Sequence, residues 1–243
     1  MRPSTLASIL LVALVTPLAG QDGAPPQVTE STLALGDGSS LRYAISVPDT
    51  DDGSAGVPRT LVLALHPGGR SPGYGSSFMR SIVEPALRSW EAVMVAPDVP
   101  DRSWSTPRSE GAVLTLVQHV LERHAIDRGR ILVTGFSMGG RGTWYLAARH
   151  PEVFTGAIVM AGSPGEGDVE ALTGTPLYLI HSPQDEVVPY EPVEAAYLEL
   201  AGRDHPVEIR VLPGASHYAM GAYILPLRLS GEWMLARWLE RSP

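Results

Sequence analysis

The chain has 243 residues, a formal net charge of −8 and a hydrophobic share of 44%. This length favours one α/β domain over two, and the hydrophobic share is ordinary for a globular protein with a sizeable core. The negative charge argues against nucleic acid and against an anionic membrane surface as partners. Because the chain has no cysteine, disulfides, thiol nucleophiles and Cys-based metal sites are excluded.

The first 20 residues have the pattern of a secretory signal peptide. A positive start at Arg2 is followed by an apolar run over 6–15, which is too short to span a bilayer, and by small residues before position 21. Gln21 stands where a lipidated cysteine would be needed, so no stable membrane anchor is expected at this position. The sequence therefore predicts a secreted or periplasmic protein.

After a leader over 21–26 that is predicted to be disordered, residues 27–243 are predicted to form a single domain. Two alternating runs, 28–35 and 41–47, flank Gly36-Asp37-Gly38 and predict a β-hairpin. Further strands are predicted at 60–65, 92–96, 131–135, 156–161, 177–181 and 207–212, and helices at 78–90, 109–124, 138–150, 192–201 and 231–241. Near-continuous apolar strands that alternate with helices indicate a parallel sheet covered on both faces. The predicted fold class is α/β, a mostly parallel doubly wound sheet with an antiparallel N-terminal hairpin, which is the α/β-hydrolase layout.

Ser137 lies in Gly135-Phe136-Ser137-Met138-Gly139, directly behind the apolar run 131–134. A strand, a Gly-x-Ser-x-Gly turn and a helix in this order are typical of a nucleophile elbow, in which the serine has a strained backbone conformation. The turn is so tight that side chains two residues before and after the serine would collide, so glycine is needed at both places. The motif predicts Ser137 as a nucleophile, with the N–H of Met138 facing the same space.

A serine nucleophile needs a base, and the base needs an orienting carboxylate. In this layout the order along the chain is nucleophile, acid, histidine, and the partners come from loops beyond the carboxyl ends of strands. Asp185 follows the predicted strand 177–181, and His217 follows the predicted strand 207–212. Asp185 is therefore predicted as the acid and His217 as the base. The nearest competitor for the acid, Glu186, is predicted to point elsewhere.

Other histidines are predicted to have structural roles. His205 precedes the last strand and therefore lies at the opposite edge of the sheet, and His181 is predicted to pack beneath the loop of Asp185. Three more lie within or at the end of predicted helices, as surface or capping residues: His119, His124 and His150.

An oxyanion hole needs two backbone donors, and Met138 N–H is predicted as one of them. The other is expected from His66-Pro67-Gly68-Gly69, the loop that follows the strand 60–65. Pro67 has no N–H, so the donor is either Gly68 or Gly69, and Gly68 is favoured.

The residues of the substrate pocket are less well defined by the sequence. Trp104 and Tyr74 lie in loops that border the site in this layout, and Tyr218 and Met220 flank His217. Trp104, Tyr74 and Tyr218 are predicted to bind substrate; the alternative is that Trp104 packs a loop and Met220 fills the core. The cap is predicted to be minimal, because residues 162–174 form the only loop expected to reach over the site.

The segment 60–219 resembles the secreted dienelactone-hydrolase-like and polyhydroxybutyrate-depolymerase-like esterases of the α/β-hydrolase superfamily, including the group called predicted peptidases. The resemblance is carried by the motif around Ser137 with Gly142-Thr143-Trp144, by Ala147-Ala148-Arg149-His150-Pro151 and by 181–189 with its Asp185. It implies an ester or amide substrate, with Ser137 as nucleophile, Asp185 as acid and His217 as base. Dienelactone hydrolases themselves use a cysteine nucleophile, and many secreted depolymerases and feruloyl esterases carry disulfides; this chain has no cysteine.

The predicted function is a secreted serine hydrolase of the carboxylesterase type, which cleaves a small-molecule or polymeric ester through an acyl-enzyme intermediate. Two alternatives stay open: a serine peptidase that acts on short peptides with the same residues, and a non-catalytic binding protein on the same fold. No His/Asp cluster has the spacing of metal ligands, so neither a metal nor another cofactor is predicted.

Overall fold

The computed structural model describes residues 27–48, 57–69 and 71–241. The predicted signal peptide and leader lie outside these residues, as do positions 49–56. Within the described ranges, no helix is both long and apolar enough to cross a membrane.

The described residues form one eight-stranded sheet in the order β1-β2-β4-β3-β5-β6-β7-β8. The strands are β1 (Val28–Ala34), β2 (Ser40–Ser46), β3 (Arg59–Leu65), β4 (Val93–Pro97), β5 (Ile126–Phe136), β6 (Gly156–Met160), β7 (Leu177–His181) and β8 (Val207–Val211). β2 pairs in antiparallel fashion with β1 and β4, and the pairs from β4 to β8 are parallel. The predicted mostly parallel sheet with an N-terminal hairpin is confirmed.

The helices are α1 (Tyr74–Phe78), α2 (Glu84–Leu87), α3 (Pro107–Leu121), α4 (Met138–Arg149), α5 (Asp168–Ala171), α6 (Glu191–Ala201) and α7 (Ile224–Arg241). A π-helical turn, Met79–Val83, joins α1 to α2, and two 3₁₀ turns follow α2 and precede α7 (Arg88–Trp90 and Met220–Tyr223).

The first and last helical regions begin four or more residues earlier than the sequence predicts, and the sequence does not predict α5. The first helical region begins at Tyr74 instead of position 78. α7 begins at Ile224 instead of position 231, because Pro226 lies in its first turn, where a missing N–H costs no intrahelical bond. Gly231 is an interior position of α7, and a Cβ there would lie 2.5 Å from Cζ2 of Trp90.

The sheet separates two apolar cores, and alternate residues of each strand supply one core or the other. Leu61 and Leu63 of β3 face the core that α3, α4 and α6 cover. Val62 and Ala64 face the core that α1, α2 and α7 cover. This period of two, with both faces apolar, explains why the central parallel strands are continuous hydrophobic runs. Because β3, β5 and β7 run parallel in the sheet, their carboxyl ends lie at the same edge, where the candidate site lies.

Candidate active site

Ser137 lies in a strained turn between β5 and α4. Its φ of 55° and ψ of −115° are outside the regions that L-residues normally adopt. A Cβ on Gly135 would lie 2.4 Å from the carbonyl carbon of Gly139, and a Cβ on Gly139 would lie 1.9 Å from the carbonyl oxygen of Leu65. The glycines are therefore needed because the backbone segments approach one another too closely for any side chain. The turn lifts the serine hydroxyl beyond the end of the sheet.

The structure brings Ser137, His217 and Asp185 together. Ser137 Oγ lies 2.9 Å from His217 Nε2, and His217 Nδ1 lies 2.8 Å from Asp185 Oδ2. A ring nitrogen beside a carboxylate carries the proton, so Nδ1–H donates to Asp185 and Nε2 accepts from the hydroxyl. Each residue follows the end of a strand, in the predicted order along the chain. This geometry is the one in which a histidine can remove a proton from a serine hydroxyl.

Asp185 is held as a carboxylate although its side chain has no access to solvent. Burial by itself would raise the pKa of Asp185, but donors from Val188 N–H, His217 and Val187 N–H lower the pKa below its usual value. The two backbone donors lie 2.8 and 2.9 Å from Oδ1, which leaves Oδ2 for the imidazole.

His181 supports this acid from below, as predicted. Its Nε2–H donates to the carbonyl of Val188 at 2.9 Å, and the same nitrogen lies 3.8 Å from Asp185 Oδ2. Burial lowers the pKa of His181, so the ring is neutral at pH 7. A neutral ring holds the loop in place without competing with His217 for the charge on Asp185.

Glu186 does not point away from the site, so that prediction is wrong. We define residues 182–188 as the acid loop and residues 213–218 as the histidine loop. Glu186 Oε2 accepts from the backbone N–H of His217 at 3.0 Å, and Oε1 accepts from Ser216 Oγ at 2.5 Å. The acid loop turns at Asp185, through its two bonds to following N–H groups, so the next side chain also faces the histidine loop.

The loop 66–69 lies beside Ser137, as an oxyanion loop would. Gly68 lines the same cavity as Ser137. Gly69 has a φ of +135°, and a Cβ there would overlap the ring of Tyr74 at 1.7 Å, so this glycine provides space for the tyrosine. Met138 is the first residue of α4, and its N–H has no acceptor within the helix. Gly68 and Met138 thus stay the predicted donors.

His66 ties this loop to the end of β4. Burial lowers its pKa, so the ring is neutral; Nδ1–H donates to the carbonyl of Pro67 at 2.6 Å, and Nε2 accepts from Val99 N–H at 3.0 Å. The ring contacts Tyr74 and Trp104 edge to face. The first residue of the loop is therefore fixed by both of its ring nitrogens.

Trp104 does not bind substrate, and the prediction that it does is wrong. Its side chain is completely buried, and its indole N–H donates to the carbonyl of His66 at 2.9 Å. The residue packs a loop, which is the alternative that the sequence left open. Because the indole N–H binds the first residue of the loop 66–69, Trp104 helps to position that loop.

A cavity of about 420 Å³ opens beside Ser137. Tyr74 and Tyr218 line it as predicted, and Met220 lines it as well instead of only filling the core. The other lining residues are His66, Pro67, Gly68, Ser77, Phe78, Ser81, Phe136, Ser137, Val187 and His217. Residues 162–174 do not contribute, so the predicted cover from that loop is wrong.

The wall that sequence reasoning missed comes from α1 and the turn that follows it. Ser77, Phe78 and Ser81 face the cavity from this region. Ser77 and Phe78 belong to α1, and Ser81 belongs to the π-helical turn Met79–Val83; such turns recur at functional sites. The sequence contained only one usable signal, because serines at positions i and i+4 share a helix face; the predicted helix began too late to include Ser77.

Comparisons with known proteins agree with this fold. The sequence model of the dienelactone hydrolase family matches residues 102–220. A putative carboxymethylenebutenolidase from Salmonella typhi is 32% identical over 120 residues, which cover 44% of this chain and 44% of that protein. A probable feruloyl esterase C from Aspergillus flavus is 26% identical over 201 residues, or 76% of this chain and 70% of that protein. This chain therefore spans less than half the length of the carboxymethylenebutenolidase that it matches.

Among solved structures, a thermostable esterase superposes with a TM-score of 0.72 and 23% identity, over 86% of this chain and 62% of that one. At this identity the likeness establishes the fold, which is that of an α/β-hydrolase. In sequence, the chain is similar to the dienelactone hydrolase family over residues 102–220, and to a carboxymethylenebutenolidase and a feruloyl esterase over the segments given above. The segment matched by the family model includes Ser137, Asp185 and His217.

Proposed function

We propose that this protein is a serine carboxylic-ester hydrolase. The observation that carries the proposal is the continuous hydrogen-bonded path from Ser137 through His217 to the buried carboxylate of Asp185. The strained backbone of Ser137 and the adjacent cavity support it, because a nucleophile must be both exposed and activated. The likeness to a carboxymethylenebutenolidase and to a feruloyl esterase supports cleavage of an ester or lactone bond.

In the proposed mechanism, Ser137 Oγ attacks the acyl carbon while its proton passes to His217 Nε2. The new oxyanion accepts from the N–H groups of Met138 and Gly68, and Asp185 stabilises the imidazolium. His217 then gives the proton to the leaving alcohol, and the C–O bond breaks to leave an acyl-serine. Water attacks this ester with His217 again as base, which releases the acid and restores the hydroxyl.

The cavity favours a neutral, largely apolar acyl group. None of the described residues that line it is an arginine, an aspartate or a glutamate, and aromatic rings contribute from Tyr74, Phe78, Phe136 and Tyr218. An anionic acyl group would lose its hydration there without gaining a cationic partner among these described residues. The hydroxyl of Ser77 can bind a polar substituent on an otherwise apolar group, and Ser81 Oγ, which donates its own proton to the carbonyl of Ser77, can accept from one. A feruloyl-type or short hydroxyalkanoyl ester, free or in a polymer, fits better than a carboxylate-bearing lactone.

The test is hydrolysis of a panel of p-nitrophenyl esters by the wild type, Ser137→Ala and Ser31→Ala. Ser31 is an exposed serine on β1 and is the matched control. We expect Ser137→Ala to lose at least about 10³-fold in kcat and to lose labelling by a fluorophosphonate, whereas Ser31→Ala keeps both. His217→Ala and the double variant should lose about as much as Ser137→Ala alone, because the residues act as a unit.

The same panel separates the alternatives. Neutral aromatic and short aliphatic acyl groups should be cleaved faster than dicarboxylic half-esters of the same length. Faster cleavage of matched anilides than of esters would instead favour a peptidase. Full esterase activity in Ser137→Ala would overturn the proposed function, and absence of both labelling and turnover in the wild type would favour a binding protein.

We also propose that the protein is exported, on the basis of the signal-like residues 1–20. The support is confined to the sequence pattern. N-terminal sequencing of protein recovered outside the cytoplasm should show a chain that begins near Gln21, and recovery of an uncut chain from the cytoplasm would contradict the proposal.

A further inference from the structure

Three consecutive side chains of the acid loop contact the histidine loop. Asp185 binds the imidazole of His217, as described above. On one side of it, Gln184 Oε1 accepts from Gly214 N–H at 2.5 Å. On the other side, Glu186 accepts from Ser216 Oγ and from the backbone N–H of His217. The two loops are thus joined at three successive places, of which only the middle one belongs to the proposed proton path.

Among the described residues, these contacts supply nearly all the hydrogen bonds that the histidine loop receives from outside itself. The backbone bonds of Ala215 and Ala219 are made within or beside the loop, to Leu212 and Ser216. Apart from the acid loop, Ser137 is the remaining partner, through the ring of His217. The main chain of His217 is bound to Glu186 and to no other side chain of the described part.

We propose that Glu186 is a positioning residue for His217, the proposed base. Glu186 fixes the main chain of His217, whereas Asp185 and Ser137 bind its imidazole. This inference rests on the proposed function. Bonds at the two ring nitrogens set the rotation of the ring, but they leave its Cα free to move with the loop. A third bond, at the backbone N–H of the same residue, fixes the point from which the side chain extends. Ring and backbone together define one position from which Nε2 reaches Ser137.

The chemistry of Glu186 suits this task. An ionised carboxylate is an acceptor only, and its two oxygens can take both donors at once. The hydroxyl of Ser216, followed by the backbone N–H of His217, lowers the pKa of Glu186, so the group is charged at neutral pH. Glu186 is exposed to solvent, so its contribution to folding is small, whereas a displacement of about 1 Å at a reacting group can cost about 10²-fold in rate.

The test compares Glu186→Ala, Glu186→Asp and Glu186→Gln with Glu232→Ala, a control that removes an exposed carboxylate from α7. Aspartate keeps the charge but is one methylene too short to reach both donors, and glutamine keeps the length and one acceptor oxygen. We expect kcat for p-nitrophenyl butyrate to fall about 10- to 100-fold in the alanine and aspartate variants and less in the glutamine variant. KM should stay within about twofold in all of them, because Glu186 does not line the cavity.

A spectroscopic measurement separates positioning from general damage. In the phosphonylated protein, the low-field proton resonance of His217 Nδ1–H should broaden or vanish in Glu186→Ala and persist in Glu232→Ala. Melting temperatures of the two variants should agree within a few degrees. If Glu186→Ala does not fold, the comparison of the other two variants tests the inference, because a positioning role requires a higher kcat for Glu186→Gln than for Glu186→Asp.

Two results would overturn the inference: a kcat for Glu186→Ala equal to that of Glu232→Ala, or an aspartate variant more active than the glutamine variant, which would indicate a role for charge alone. Neither result touches the proposed function, which is tested separately by Ser137→Ala and by turnover and labelling of the wild type.

Discussion

At the scale of single residues, α4 lies so close to the sheet that three of its glycines have no room for a methyl group. A Cβ would lie 1.9 Å from the carbonyl oxygen of Leu65 at Gly139, 2.7 Å from that of Met160 at Gly140 and 2.4 Å from Cβ of Trp104 at Gly142. This close approach lets the first N–H groups of the helix reach the space in front of Ser137. The same glycines that weaken the helix as an isolated element therefore build the site.

Gly142→Ala should lower the free energy of unfolding by about 1–3 kcal/mol, because Trp104 is completely buried and cannot move aside. Gly111→Ala is the matched control, since Gly111 lies inside α3 and a methyl group added there would have no atom within 4 Å. This variant should gain about 0.5–1 kcal/mol from reduced backbone entropy. Urea denaturation of the wild type and both variants measures the two changes in the free energy of unfolding, which should have opposite signs. The expectation fails if both variants are destabilised alike.

At the scale of elements, the loops after β3 and β4 are coupled through two aromatic side chains. His66, just after β3, accepts from Val99 N–H through its ring, and Trp104 donates to the carbonyl of His66. Both side chains are buried. The proposed oxyanion loop, residues 66–69, is therefore held by the loop that follows the neighbouring strand, and we expect its geometry to depend on Trp104, which does not line the cavity.

Trp104→Phe should reduce both stability and rate. The phenyl ring keeps most of the packing but leaves the carbonyl of His66 without its donor, which costs about 1–3 kcal/mol. Because the oxyanion loop is then less well fixed, we expect kcat to fall about 10-fold, less than the 10²–10³ for loss of a whole oxyanion donor.

Trp238→Phe is the control for this substitution. Trp238 is buried and its indole N–H donates to the carbonyl of Thr155 at 2.9 Å, before β6 and at the opposite edge of the sheet. Trp238→Phe should lower the free energy of unfolding by a similar amount and leave kcat unchanged. A normal kcat in Trp104→Phe, measured where both variants are fully folded, would show that the oxyanion loop does not depend on Trp104.

At the scale of the whole molecule, the sequence predicts the sheet better than it predicts the surroundings of the site. Strands β3, β4, β6 and β7 and the second half of β5 are apolar runs that are buried on both faces. Ser137 and Asp185 follow two of these strands and His217 follows the alternating strand β8, so local pattern suffices to place all three residues. The burial of Trp104 and the direction of Glu186 depend on which loops lie side by side, and this is decided by the strand order. The cavity wall near Ser77 depends on how α1 crosses the sheet, for which the sequence has no periodic signal.

Stability of the whole molecule should depend on pH below about 6.5. Burial lowers the pKa of His66, His181 and His205 below the ordinary value of 6.5. Below that value the unfolded chain binds more protons than the folded chain, so the free energy of unfolding falls as pH falls. The stabilisation is complete above the unfolded pKa and is lost as pH decreases through the lower folded values, by at most about 1.4 kcal/mol per pH unit for each histidine.

His205→Gln isolates one of these groups at a distance from the site. His205 Nε2–H donates to the carbonyl of Thr175 before β7, at the edge of the sheet opposite Ser137, and a glutamine amide can replace this donor without titrating. Urea denaturation at a series of pH values should give a shallower slope below pH 6.5 for the variant than for the wild type, with equal esterase activity at pH 8. A wild-type protein that becomes more stable from pH 7.5 to pH 5.5 would contradict the assignment of these histidines as buried and neutral, since the sign of the slope follows from that assignment alone.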